Sequence, residues 1–177
     1  PILIDGLLAL EYRGYDSAGI ATIENDGIKV MKDKGRVKNL SNLDGINSLK
    51  GTVGIAHTRW ATHGRPSKVN SHPHMDNSGK FTVVHNGIIE NYADLKKFLE
   101  NNNYKFLSET DTEVIPNLIH YYYTNGPVSI LSDVKERFLG AVKSAVYDLK
   151  GSYAIEVIST ICPDEMVVVR KDSPLVI

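Results

Sequence analysis

Cysteine is almost missing from the 177-residue chain, which contains only Cys162. One cysteine cannot form a disulfide within the chain, and a chain without disulfides is typical of a reducing compartment. Pro163 follows Cys162 directly, and no residue near Cys162 in the sequence would lower the pKa of its thiol. We therefore interpret Cys162 as a buried or turn thiol and not as a nucleophile.

The chain also lacks an excess of charge and a long apolar run. The formal net charge is −1, and Lys and Arg are spread along the chain, so no basic stripe is available for nucleic acid. No apolar run approaches the roughly 18 residues that suggest a membrane span, and no basic region precedes an apolar stretch at the start. A glycine-rich phosphate loop is missing as well. We expect a cytoplasmic protein that binds neither membranes nor nucleic acid.

Length and a hydrophobic content of 42% fit one domain with a substantial core. Apolar periodicity predicts helices over residues 2–12, from Asn91 onward, over 112–123 and over 129–149, and a short one within 38–49. It predicts strands over 18–24, 28–32, 52–57, 81–85, 152–159 and 166–170. Strands in two groups with consecutive helices between them favour an α+β fold. The sequence starts within one apolar pattern and stops within another, so we expect the domain to be incomplete at both ends.

Four segments carry polar residues in patterns that suit the binding of a small amino acid beside an oxyanion site. They are EYRGYD (11–16), GIAHTRWATHG (54–64), VVHNGIIEN (83–91) and SETDTE (108–113). In the third, an apolar strand delivers Asn86 and Gly87. An asparagine amide and a glycine backbone N–H can form an oxyanion hole, but an ordinary Asn-Gly turn explains the pair equally well.

Two charged residues in these segments fit the two ends of an amino acid. Arg59 can bind a carboxylate through two parallel hydrogen bonds, and Asp111 can accept from an ammonium group. A surface ion pair is the common alternative for such an arginine. Because a helix is predicted to begin nearby, a helix N-cap is the alternative for Asp111.

The histidines suggest a metal site as a weaker hypothesis. His72 and His74 flank a proline, and His57, His63, His85 and Asp76 are further candidate ligands. A His-X-His pair in a loop is weak evidence for a metal, because most such histidines pack or form hydrogen bonds.

Taken together, the four segments resemble the glutaminase domains of the glucosamine-6-phosphate synthase family, the isomerizing glutamine:fructose-6-phosphate aminotransferases. These are class II glutamine amidotransferases of the N-terminal nucleophile hydrolase superfamily. The likeness runs from LLALEYRGYDSAGIA through NSHPH and GSYAI to VVRKDSPLVI, and HTRWATHG and SETDTE are its most specific parts. It implies a four-layer α/β/β/α sandwich. Residues 1–177 would form a glutaminase domain without its N-terminal cysteine strand and without the C-terminal sugar-isomerase domains.

The same resemblance implies roles for individual residues. In this family the mature chain begins with the nucleophilic cysteine, whose own α-amine is the general base. The implied roles are an oxyanion hole at Asn86 and Gly87, an arginine beside the nucleophile at Arg13, a clamp on the glutamine carboxylate at Arg59 with Thr62 and His63 on the same loop, a partner for the glutamine ammonium at Asp111, and an ammonia gate at Trp60.

The implied reaction is hydrolysis of L-glutamine to glutamate and ammonia through a γ-glutamyl thioester, without a cofactor. In the parent enzyme, expected to be a homo-oligomer, the synthase domain of the same polypeptide uses the ammonia to convert fructose 6-phosphate into glucosamine 6-phosphate. The chain as given is expected to be inactive, because the nucleophile would precede Pro1. The alternatives are a non-catalytic glutamine-binding domain and, less favoured, a metal hydrolase with histidine ligands.

Overall fold

A computed structural model of the protein describes residues 1–60 and 64–176. The helices are α1 (Ile2–Leu10), α2 (Val37–Ser41), α3 (Tyr92–Asn101), α4 (Val114–Asn125) and α5 (Val134–Asp148). The strands are β1 (Ser17–Glu24), β2 (Gly27–Lys34), β3 (Gly54–Arg59), β4 (His74–Met75), β5 (Phe81–Ile89), β6 (Gly151–Ser159) and β7 (Met166–Lys171). Short 3-10 helices cover Glu11–Arg13, Ile46–Ser48 and Pro127–Ile130.

The strands form two sheets in which neighbours run antiparallel. The first has the order β2-β1-β3, and the second has the order β4-β5-β6-β7. Strands β1 and β2 form a hairpin, in which Glu24 pairs with Gly27 across a two-residue turn. Strands β5 and β6, which form the longest pair, are separated in sequence by α3, α4 and α5.

Three apolar clusters define the layers. Between the sheets lie Ala21, Ile55, Val84 and Ile158. A second cluster joins α1 and α2 to the outer face of the first sheet, and a third, larger cluster joins α3, α4 and α5 to the outer face of the second sheet. Alternation along each strand sends successive side chains into different clusters. The α+β class and the four-layer α/β/β/α order are thus confirmed.

The helix predicted over residues 129–149 is wrong at its start. The structure has a 3-10 helix at Pro127–Ile130, and α5 begins only at Val134. The Asp133 carboxylate accepts hydrogen bonds from the backbone N–H groups of Lys135 and Glu136, so it caps the helix. The apolar periodicity continues through the break, which is why the pattern alone did not show it.

Asn91 occupies the N-cap position of α3, but its side chain makes no capping hydrogen bond. Instead its Nδ2 donates to the Asp148 carbonyl oxygen, and its Oδ1 accepts from the Lys150 N–H. Asn91 therefore ties the start of α3 to the junction between α5 and β6. Residues 174–176 form no strand.

Gly19 is required where the loop at residues 71–73 crosses β1. A Cβ atom at Gly19 would lie 2.1 Å from the His72 carbonyl oxygen and 2.6 Å from Lys32 Cβ. The Lys32 ammonium holds the loop there, because its Nζ donates to the carbonyl oxygens of Ser71 and Pro73. The loop backbone thus occupies the volume of a missing side chain.

Replacing Gly19 by Ala is expected to destabilise the domain by about 1–3 kcal/mol, because the new methyl group forces the loop or the strand to move. Gly6→Ala is the matched control, since a Cβ at this helical position meets nothing within 4 Å. That change is expected to raise stability by about 0.5–1 kcal/mol. Urea denaturation followed by circular dichroism measures both effects. Equal unfolding midpoints for the two variants would contradict the packing argument.

Candidate functional site

The space between the sheets changes from apolar to polar at one end. Ile55 of β3 and Val84 of β5 both belong to the cluster between the sheets. Because strand side chains on one face recur every second residue, His57 and Asn86 follow them on the same inner faces. The His57 Nε2 lies 3.1 Å from the Asn86 Oδ1, so the two strands are joined there by a side-chain hydrogen bond.

Asn86 and Gly87 lie inside β5 and not in a turn. They pair with Ala154 and Tyr153 of β6, so the Asn-Gly turn interpretation is wrong. Gly87 has a φ of 127°, and a Cβ there would lie 2.0 Å from the Ser152 carbonyl oxygen. The neighbouring strand therefore requires glycine at this position whether or not a ligand is bound.

Arg59 ends β3 and is only 5% exposed, so the surface ion-pair interpretation is wrong. Its Nη2 donates to the Gly64 carbonyl oxygen at 3.3 Å. Burial lowers the pKa of Arg59, while the nearby negative charges of Asp111 and Asp16 oppose that shift. A buried cation thus lies within the field of two carboxylates.

Asp111 is also 5% exposed, and its Oδ2 accepts a hydrogen bond of 2.7 Å from the backbone N–H of Ile89. Helix α4 begins at Val114, so the N-cap interpretation of Asp111 is wrong. The carboxylate is instead fixed at the end of β5, the strand that carries Asn86 and Gly87. The SETDTE and VVHNGIIEN segments therefore meet, although they are separate in sequence.

The segment that carries Arg13 packs against the backbone at Arg59 and Trp60. A Cβ at Gly14 would lie 2.9 Å from the Arg59 carbonyl carbon, and the Asp16 N–H donates to the Arg59 carbonyl oxygen. Arg13 itself is exposed in the 3-10 helix. Trp60 is 58% exposed, and its ring meets that of Tyr15 edge to face at 5.5 Å. The EYRGYD and HTRW segments are thus neighbours.

Thr62 and His63 lie outside the described residues. Their predicted place in the glutamine loop remains a prediction. The described residues continue at Gly64, whose carbonyl oxygen accepts the hydrogen bond from Arg59.

Four histidines and one threonine form a cluster beside Asn86. The rings of His57 and His72 stack at 4.2 Å, and His74 meets His72 edge to face at 5.0 Å. The backbone N–H of His85 donates to the His72 Nδ1 at 3.3 Å. The Thr112 Oγ1 lies 2.9 Å from the His85 Nδ1 and 3.4 Å from the His72 Nε2. The rings are therefore held by hydrogen bonds and by each other.

Burial keeps these imidazoles uncharged. Desolvation lowers the pKa of His57 and that of His85 to about 4, and it lowers the pKa values of His72 and His74 well below the usual range. Across residues 1–60 and 64–176, no group of three or more His, Cys, Asp or Glu residues is arranged to hold a metal ion. The structure thus gives the metal hypothesis no support from these residues.

Cys162 lies apart from this cluster, in the core between the second sheet and its helices. The thiol is buried, and its Sγ lies 3.8 Å from the Val134 carbonyl oxygen. Burial raises the pKa of Cys162, which disfavours the thiolate that a nucleophile requires. The interpretation of Cys162 as a buried thiol is confirmed.

The sequence patterns gave no sign that His57 contacts Asn86, that Thr112 contacts two histidines or that Asp16 lies near Arg59. A usable signal for His57 was its spacing of two from the buried Ile55, which places it on the inner face of β3. Residue type alone grouped it with candidate metal ligands.

Residues 18–152 match the family model of the glutamine amidotransferase domain. The chain belongs to this family. It is 53% identical over 177 residues to the glutamine–fructose-6-phosphate aminotransferase (isomerizing) of Clostridium tetani, covering 100% of this chain and 27% of that protein. The domain therefore spans about a quarter of the length of this curated relative.

Two solved structures share the fold of this family member. The glutamine phosphoribosylpyrophosphate amidotransferase from B. subtilis has a TM-score of 0.68 at 26% identity, covering 88% of this chain and 32% of that chain. A structure described as the allosteric regulatory enzyme of purine biosynthesis has a TM-score of 0.75 at 27% identity. The match covers 96% of this chain and 34% of that chain. Among the described residues, no helix is long and apolar enough to cross a membrane.

Acidification is expected to destabilise the domain between about pH 6.5 and pH 4. The folded-state pKa of His85 is about 4, whereas an exposed histidine titrates near 6.5. Within that window the unfolded chain binds more protons than the folded one, so stability falls as the pH falls. The loss is about 1 kcal/mol per pH unit for each such histidine.

Urea denaturation at pH 7, 6 and 5 measures this dependence. His85→Gln removes one titrating group and should make the dependence shallower. A free energy of unfolding that stays constant from pH 7 to pH 5 would show that the imidazoles are not held neutral.

Proposed function

We propose that the domain is the glutaminase part of a glutamine:fructose-6-phosphate aminotransferase. It hydrolyses L-glutamine to glutamate and ammonia, and the ammonia passes to fructose 6-phosphate to make glucosamine 6-phosphate. The observation that carries this proposal is the position of buried Arg59 and Asp111 beside the strand that carries Asn86 and Gly87. The 53% identity to an aminotransferase of that name supports the choice among amidotransferases.

The two buried charges suit the zwitterionic end of an amino acid. In the proposed complex, Arg59 binds the α-carboxylate of glutamine and Asp111 binds its α-ammonium group. Charge-assisted hydrogen bonds of this kind contribute roughly 1.5–3 kcal/mol each. Because Asp111 is fixed to the end of β5, binding there directs the side-chain amide of glutamine towards Asn86 and Gly87.

The proposed nucleophile is a cysteine from outside these 177 residues, at the start of the mature chain, with its α-amine as general base. Its sulfur attacks the amide carbon of glutamine, and the carbonyl oxygen becomes an oxyanion that accepts from the Asn86 side chain and the Gly87 N–H. The C–N bond then breaks. The nitrogen takes the former thiol proton from the α-amine and leaves as ammonia. Water hydrolyses the thioester, which releases glutamate and restores the thiol.

The remaining site residues have proposed supporting roles. Arg13 lies beside the nucleophile, and Thr62 and His63 contact glutamine from the loop after β3. Trp60 gates the passage of ammonia towards the synthase domain. Its exposure and its contact with Tyr15 support a position at the rim of the site.

The companion of this domain is proposed to be a pair of sugar-isomerase domains in the same polypeptide. The domain covers only 27% of the relative's length, which leaves ample room for them. We further propose that the whole enzyme is a cytoplasmic homo-oligomer and that the glutaminase reaction needs no cofactor.

Replacing Asp111 by Asn in the full-length enzyme is expected to raise the KM for glutamine about 10- to 100-fold, because the charge that faces the ammonium group is lost. Glutamate release at varied glutamine concentration measures the effect. Asp94→Asn is the matched control, since Asp94 is exposed in the first turn of α3. An unchanged KM in the Asp111 variant would remove that residue from the substrate site.

The source of the nucleophile is tested by two preparations. The full-length enzyme with Cys162→Ala is expected to keep its glutaminase activity, whereas the 177-residue chain alone is expected to release no glutamate. Activity in the short chain would overturn the external nucleophile. Glutamine binding by calorimetry to a full-length protein that releases no glutamate would instead support the non-catalytic binding domain.

A further inference from the structure

We propose that His57 is a positioning residue that holds the side-chain amide of Asn86 with its Nδ2 group, and not its Oδ1, available to the tetrahedral oxygen. The inference rests on the proposed function of Asn86 as an oxyanion-hole donor. In the proposed complex, His57 does not touch the substrate. It acts through Asn86 alone.

The hydrogen bond between the two side chains sets the direction of the amide. The His57 Nε2 lies 3.1 Å from the Asn86 Oδ1, and an amide oxygen can only accept, so the imidazole must donate. A rotation of the Asn86 amide by half a turn would bring its NH2 group against the Nε2–H. Two donors would then face each other, and the hydrogen bond would be lost.

The position of the proton on His57 follows from its other nitrogen. The Nδ1 is buried and has no hydrogen-bond partner among the described residues. A proton there would be a buried donor without an acceptor, which costs about 1–3 kcal/mol. The neutral ring therefore carries its proton on Nε2, where the Asn86 Oδ1 accepts it. Burial also lowers the pKa of His57 to about 4, so the ring is neutral at pH 7.

His72 holds the plane of the His57 ring. The two rings stack at 4.2 Å with an angle of 20° between their planes. His72 is held in turn, because its Nδ1 accepts from the His85 backbone N–H and its Nε2 lies 3.4 Å from the Thr112 Oγ1. Since His85 immediately precedes Asn86, the same strand supports both partners of the His57–Asn86 hydrogen bond.

The size of the effect follows from what is lost. Removing an oxyanion-hole donor costs roughly 100- to 1,000-fold in kcat. Removing His57 leaves the Asn86 side chain in place but lets its amide adopt both orientations. The loss is that of one ordinary hydrogen bond. We expect a loss of about three- to tenfold in kcat. The KM for glutamine should stay within about twofold, because Arg59 and Asp111 are untouched.

The test measures glutamate release by the full-length enzyme. His57→Leu removes the donor, and His57→Gln replaces it, because the amide nitrogen of glutamine can occupy the place of Nε2. The leucine variant is expected to lose three- to tenfold in kcat, and the glutamine variant should recover to within about twofold of wild type. If His57→Leu does not fold, His57→Met preserves the side-chain volume without a donor and serves as the test.

A double-mutant comparison separates this inference from the proposed function. Asn86→Ala should lower kcat about 100- to 1,000-fold, and His57→Leu should cause no further loss in that background. If Asn86→Ala leaves kcat unchanged, the proposed oxyanion hole is wrong. If Asn86→Ala acts as expected but the His57 effect is absent or fully additive, only the positioning role is overturned.

His120→Leu serves as the matched control for loss of an imidazole. His120 lies on α4, where its Nδ1 is 2.8 Å from the Tyr104 hydroxyl, outside the cluster. Its kcat should equal that of wild type. A loss of kcat in the His120 variant as large as that in His57→Leu would show that general destabilisation explains both.

Discussion

Face-to-face packing of two antiparallel sheets is the constraint on which the candidate site depends. Each inner strand must place every second side chain between the sheets, so Ile55 is followed there by His57 and Val84 by Asn86. Polar groups enclosed in such a layer need hydrogen-bond partners. His57 meets that need at the open end of the layer, where its Nε2 contacts the Oδ1 of the exposed Asn86.

The electrostatics of the site divide into two sets of groups. Arg59, Asp111 and Asp16 carry charge, and their mutual proximity offsets part of the cost of burying Arg59. The histidines supply donors and acceptors without adding charge, because desolvation keeps them neutral at pH 7. Among the described residues, Arg59, Asp111 and Asp16 thus contribute charge to the site, while the neutral histidines contribute hydrogen-bonding groups.

Periodicity in the sequence predicted most helices and strands, because each buries one face and repeats at its own spacing. It failed at the start of α5, where Asp133 caps a helix inside an unbroken apolar pattern. The sequence indicates Asn86, Arg59 and Asp111 as candidates, but strand pairing, burial and the start of α4 were needed to exclude their alternatives, and their partners are distant in sequence. Asp111 bonds to Ile89, 22 positions away, and His57 to Asn86, 29 positions away. Residue type carries no information about such partners.

Asn91 shows how one side chain can set the size of a cooperative unit. It bonds to the Asp148 carbonyl oxygen and to the Lys150 N–H, so the first turn of α3 cannot open without breaking bonds to the α5–β6 junction. Segments linked in this way exchange their amide hydrogens together in native-state opening. Directly after β5, the Glu90 backbone N–H donates to the Lys150 carbonyl oxygen, so we expect the end of β5 to belong to the same unit. The strand that carries Asn86 and Gly87 is thus tied at its end to the junction between α5 and β6.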